Sequence, residues 1–71
     1  MRDYTELQKR VYHTFLKNGW ITADEAATYL GLSVLAVRPR VTELKNQGKL
    51  VLTGLRRRNA SGIYARVLRA A

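Results

Sequence analysis

Three consecutive arginines, Arg56, Arg57 and Arg58, stand in the stretch GLRRRNASG between Gly54 and Gly62, and Arg38, Arg40 and Lys45 are spaced through VRPRVTELKN. Guanidinium groups pair bidentately with phosphate or with the O6 and N7 atoms of guanine, and three side by side repel one another unless a partner supplies negative charge. The chemistry these residues suit is neutralisation of a polyanion. Thr42 and Asn46 add groups that meet base edges, the amide adenine and the threonine methyl thymine. Asn59 and Ser61 either shape the turn through side-chain to backbone bonds or donate to phosphate. No comparable constellation serves catalysis: hydroxyl, imidazole and carboxylate groups are scattered without motif spacing, with no nucleophile elbow and no phosphate-cradling loop. Neither enzymatic activity nor a cofactor is expected. With no cysteine and the single His13, a metal site is not expected either.

The charge is asymmetric as well as large. The 71 residues carry a formal net charge of +8, yet all five acids, Asp3, Glu6, Asp24, Glu25 and Glu43, precede Leu44, where six bases offset them. From Leu44 onward there are seven bases and no acid. Such a distribution points to a polyanionic partner, nucleic acid before a membrane surface, because the bases accompany strand and turn signals and not a basic amphipathic helix. The alternative is a solubilising surface. No apolar run approaches the ~20 residues that span a bilayer, so a soluble chain of the bacterial cytosol, with no membrane partner, is expected.

These residues need elements to position them, and a chain of this length has room for one domain, residues 1–71. A first helix starts near Asp3 or Thr5, carries Leu7, Val11 and Phe15 on one stripe and ends at Asn18-Gly19. Trp20-Ile21 is short and extended, a candidate third strand, with Trp20 and Phe15 as core anchors. Thr22 and Glu25 form a capping box opening a helix to about Leu30, and two acids in its first turn suit the helix dipole. Gly31 supplies a left-handed turn above Leu32, and Ser33 caps a third helix of about 34–47 on which Val37, Val41 and Leu44 face inward. Two helices meeting across so short a turn make a helix-turn-helix. The remainder reads as strands 50–53 and 63–68 around an arginine-loaded connection, 54–62, with Ile63, Ala65 and Val67 sharing one face of the second strand. Arg66 and Arg69 read as solvated strand residues. The class is α+β: three helices and a C-terminal β-hairpin.

That order is similar to the winged helix-turn-helix fold. Ala27, Gly31 and Val37 match its small, turn-glycine and buried aliphatic positions, and VTELKNQGKLV resembles the corresponding stretch of MarR-type winged helices, without the extra dimerising helices of full-size members. More narrowly, VRPRVTEL followed by TGLRRRNASG resembles small winged-helix proteins encoded by phages and prophages. The resemblance implies binding to double-stranded DNA, with the third helix in the major groove and the wing on the backbone or minor groove, in a transcriptional regulator or replication accessory.

The residues support this independently. A step of ~100° per residue puts Leu35, Pro39, Thr42 and Asn46 at the centre of the outward face, flanked by Arg38, Arg40, Glu43 and Lys45, with Ser33 at the helix start. The wing offers Arg56, Arg57, Arg58, Asn59 and Ser61, and helix and wing together are expected to form one positive lobe. Pro39 removes the bond from its nitrogen to the Leu35 carbonyl, an interior cost of ~3 kcal/mol, which predicts a kinked or late-starting third helix. Two other functions fit the composition: a winged-helix module docking a host protein through exposed Leu35 and Leu55, or an RNA-binding module. The expected state is a monomer or weak homodimer.

Overall fold

The computed structural model describes residues 4–71. Helix α1 (Tyr4–Asn18) buries Val11 and Phe15 completely and packs Leu7 against them, as the spacing requires. Thr5 lies within the helix and does not cap it; Asp3 lies outside the described residues. Strand β1 (Ile21–Thr22) follows, one residue later than expected. The shift matters for Trp20, which is 50 % exposed, so of the two expected aromatic anchors Phe15 is the buried one and Ile21 fills the other buried place.

Helix α2 (Ala23–Leu30) opens on the Thr22–Glu25 capping box, with both reciprocal bonds made. It closes at Gly31, whose φ of 68° is costly for any residue with a Cβ, with the Gly31 and Leu32 N–H groups donating to the Thr28 and Ala27 carbonyls. Leu32 packs on the core beneath that turn. Helix α3 (Val34–Asn46) is capped by Ser33 Oγ accepting from Ala36 N–H at 3.3 Å. Val37, Val41 and Leu44 enter a core shared with α1, α2, Ile21, Leu50 and Leu68.

Pro39 sits inside α3, which does not start late. The first turn is nonetheless loose: the Ser33 carbonyl accepts from Ala36 N–H at 3.1 Å, an i to i+3 bond, and from Val37 N–H at the longer 3.3 Å. The weakened bonds at Ser33 give the first turn room to yield where the pyrrolidine crowds it, and Pro39 itself is exposed.

Strands β2 (Leu50–Arg58) and β3 (Tyr64–Ala70) complete an antiparallel sheet of order β1-β3-β2, in which Ile21 pairs with Leu68 and Thr22 with Val67. Three helices followed by this hairpin give the winged-helix layout. The wing differs from the expected loop. Pairing resumes at Arg56 with Arg66, Arg57 with Ala65 and Arg58 with Tyr64, so the arginines are strand residues and the connection shrinks to residues 59–63. Extended backbone sends Arg57 to one face and Arg56 and Arg58 to the other, which separates the charges that a loop would crowd. Between the Leu52–Leu68 and Arg56–Arg66 pairs, β2 uses residues 53–55 against Val67 alone. Thr53 Oγ1 holds this bulge, donating to the Val67 carbonyl at 2.9 Å and accepting from Leu55 N–H at 3.1 Å, while Gly54 takes a φ of 86°. The alternation expected along 63–68 also breaks: Val67 and Leu68 are both buried where β3 is the central strand. Among the described residues no helix is long and apolar enough to cross a membrane.

Replacing Pro39 by Ala restores a helical N–H to the Leu35 carbonyl. Weighing at most ~3 kcal/mol of helix-interior cost, part of it relieved by the loose first turn, against up to ~1 kcal/mol of lost unfolded-state restriction, P39A is expected to raise stability by up to about 2 kcal/mol. Urea denaturation checks this as a higher midpoint at unchanged slope; an unchanged or lower midpoint means the loose first turn already absorbs the cost.

Candidate nucleic-acid interface

The first turn of α2 organises the site. Glu25 Oε1 accepts from Thr22 N–H at 2.9 Å as part of the capping box, and the same oxygen accepts from Arg57 Nη1 at 2.6 Å. Arg57 Nη2 also donates to the Trp20 carbonyl at 3.3 Å. One residue earlier, Asp24 divides its carboxylate: Oδ2 accepts from Asn59 Nδ2 at 2.8 Å, and Oδ1 from Arg38 Nη2 at 3.4 Å. Wing and third helix are thus held by two neighbouring acids, and the wing tip and Arg38 meet on a single carboxylate. A depression of about 310 Å³ lies between them, lined by Asp24, Glu25, Thr28 and Val34 on one side and by Arg58, Asn59, Ala60 and Ser61 on the other.

On α3 the structure separates the expected residues into two sets. Leu35, Arg38, Pro39, Thr42, Lys45 and Asn46 are exposed. Arg40 is not: it is 8 % exposed, and its Nε and Nη2 donate to Glu43 Oε1 and Oε2 at 2.7 and 2.8 Å. Gln8 Nε2 donates to Glu43 Oε1 at 2.6 Å, so this pair joins α3 to α1 and does not flank an outward face. The reason is helical geometry, since Arg40 lies three residues after Val37 and four before Leu44, on the edge of the buried stripe. Ser33 is exposed, but its hydroxyl oxygen is engaged as the cap.

The wing divides likewise. Arg56, Arg58 and Ser61 are exposed, whereas the side chains of Arg57 and Asn59 are engaged by Glu25 and Asp24. The turn is closed by backbone, Asn59 N–H donating to the Ile63 carbonyl at 2.8 Å and Gly62 N–H to the Asn59 carbonyl at 2.9 Å. Arg56 faces Arg66 directly across the ladder, an unfavourable like-charge pair beside a depression of about 150 Å³ lined also by Leu52, Gly54 and Leu55. An anion placed there would relieve both guanidinium groups.

Asp24 and Glu25, which the sequence places in the first turn of α2 as partners of the helix dipole, with Glu25 also half of the capping box, prove to hold the wing and Arg38 as well. Their bonds to Asn59 and Arg57 cross 35 and 32 residues, a separation that leaves no local trace. The capping box was the one available signal, since it fixes where Glu25 must point.

Residues 7–50 match the family model for the helix-turn-helix domain of the M protein trans-acting positive regulator (MGA). The matched segment runs from α1 to the first residue of β2 and contains the whole of α2 and α3. No curated protein matches the chain closely enough to be counted a relative.

Burial pushes the Glu25 carboxyl up, but hydrogen bonds from Arg57 and from Thr22 N–H, together with the Arg57 charge, outweigh it and hold the group below its ordinary value. Glu43 is lowered too, by hydrogen bonds from Arg40 and Gln8 and by the Arg40 charge, against a smaller effect of burial. A carboxyl depressed in the folded state contributes stability that is complete above its unfolded pKa, about 4.3, and is lost as pH falls through the folded value. Stability should therefore drop on acidification below about pH 5, and E25Q should flatten part of that drop in a series of urea melts. A wild-type profile level down to pH 3 would contradict the Glu25–Arg57 contact.

Proposed function

The chain belongs to the family of the MGA helix-turn-helix domain, a DNA-binding and not an enzymatic family, and from that premise we propose that residues 1–71 act as one domain of a bacterial or phage transcriptional regulator in the cytosol. In this reading α3 enters the major groove and the wing contacts the phosphate backbone or the minor groove of the same duplex. The observation that carries it is the Asp24 carboxylate shared by Arg38 and Asn59, because it sets the wing tip beside the start of α3, where one duplex can meet both. Arg38, Lys45, Arg56 and Arg58 are the phosphate partners, and Thr42 and Asn46 meet base edges. Arg57 positions the wing through Glu25 and contributes charge at a distance. Arg40 and Glu43 support α3 from behind.

Protein docking is the second reading, and Leu52 and Leu55, 44 % and 54 % exposed beside the bulge, favour it. RNA binding is separated by competition. The wing strands carry Tyr64 as an exposed aromatic, whereas a stacking platform for single strands uses several.

Fluorescence anisotropy with a mixed-sequence DNA duplex tests the proposal. Four phosphate partners predict that log affinity falls with log salt at a slope of about −3 to −4, since each neutralised phosphate contributes about −0.9. R58A should reduce that slope by about one and weaken all sequences alike, whereas N46A should relax preference at one base position by ~1 to 3 kcal/mol. No salt-dependent duplex binding at micromolar protein, or preferential displacement by structured RNA, overturns it.

A further inference from the structure

The central stripe of α3 is short of the groups that usually read bases. Leu35, Pro39, Thr42 and Asn46 occupy it, all exposed, and Leu35 is 83 % exposed, the most of any large apolar residue described. The nearby cations, Arg38 and Lys45, fall seven residues apart along one flank, and beyond the other edge of the stripe Glu43 is turned toward α1, engaged by Arg40 and Gln8. The middle of the contact face therefore presents the Leu35 methyls, the Pro39 ring and the Thr42 methyl along a rise of about 10 Å of helix, or three base-pair steps, before the Asn46 amide.

Building on the DNA-binding reading above, we propose that this stripe selects duplexes by the 5-methyl groups of pyrimidines in the major groove, so that the target is a thymine-rich tract read by Leu35, Pro39 and Thr42 with an adenine at Asn46. In the major groove that methyl is the one apolar group a base pair presents; every other edge offers donors or acceptors. Pressing Leu35 and Pro39 onto a G·C edge would strip water from N7, O6 or N4 without returning a hydrogen bond. Against thymine the same contact removes apolar surface from water on both sides. The recognition is of the methyl itself, so 5-methylcytosine, which carries it at the same ring position, is a substitute ligand. Arg38 and Lys45 are placed to hold phosphates beside such a tract, which fixes duplex DNA as the occupant of this face.

The test uses the full chain with four synthetic duplexes of equal length: alternating dA·dT, the same with deoxyuridine for thymidine, alternating dG·dC, and the same with 5-methyldeoxycytidine. Uracil differs from thymine only by the methyl. Binding to dA·dT should weaken about fourfold for each contacted methyl on changing to deoxyuridine, the equivalent of ~0.8 kcal/mol per buried methyl. Methylation should strengthen binding to dG·dC by a comparable factor. L35A should shrink the thymine-to-uracil ratio while leaving the salt slope unchanged, a change at an exposed residue that leaves the core intact. Salt-dependent binding that is indifferent to both methyl substitutions, or an L35A protein that keeps the full ratio, overturns the inference and leaves the DNA-binding reading standing. Failure of all four duplexes to bind overturns that reading and the inference with it.

Discussion

The geometry of this protein depends on one shared oxygen. Thr22 must end a strand paired to β3 and begin a helix, and the carboxylate that caps it, Glu25, also receives Arg57 from the far strand of the wing. Sheet, second helix and wing are registered against each other at that point. The energy involved is small, since a cap contributes ~1 kcal/mol and a half-exposed ion pair no more than that. Its value is positional. A two-residue strand and an eight-residue helix are short elements to hold at a fixed angle, and Asp24, one residue earlier, extends the same anchorage to Arg38 and Asn59.

The buried Arg40 performs the matching task on the other side of α3. A guanidinium on the edge of the core is tolerable only when its donors are met, and Glu43 accepts two of its bonds while Gln8 braces the carboxylate from α1. The third helix is therefore pinned by polar contacts at its rear and at its flank, with Val37, Val41 and Leu44 supplying the burial between them. The exposed stripe opposite is left without partners in the fold, and its residues bear no structural duty beyond the strain of Pro39.

What was legible in the sequence was what short-range chemistry decides. The Thr22–Glu25 box, the Ser33 cap, the Gly31 turn and the apolar spacing of α3 each act within a few residues, and each is found where the sequence places it. The place of Arg40 is legible too, because its spacing from Val37 and Leu44 puts it on the buried edge in spite of its charge. The extension of β2 through the arginines could not, because arginine carries little preference of its own and the state of residues 56–58 is set by Tyr64, Ala65 and Arg66 across the ladder. Trp20 falls in the bend just before β1 and not in the strand, and there it stays half exposed while Ile21 and Thr22 are both buried. The contacts of Asp24 and Glu25 with the wing depend on the finished fold and leave no trace at short range.

Charge and selectivity fall on different atoms in this arrangement. Phosphates are alike in every sequence, so in the complex proposed above Arg38, Lys45, Arg56 and Arg58 would supply affinity and salt dependence but no discrimination. Arg57, Arg40 and Asn59 are engaged within the fold, which leaves few polar side chains to read bases. A small module in that position gains more from an uncharged stripe than from further arginines, whose added phosphate contacts would strengthen correct and incorrect sites equally. An exposed leucine on the contact face, unfavourable for a protein alone in water, becomes a discriminating group once the only apolar feature of the groove is a methyl that half the base pairs lack.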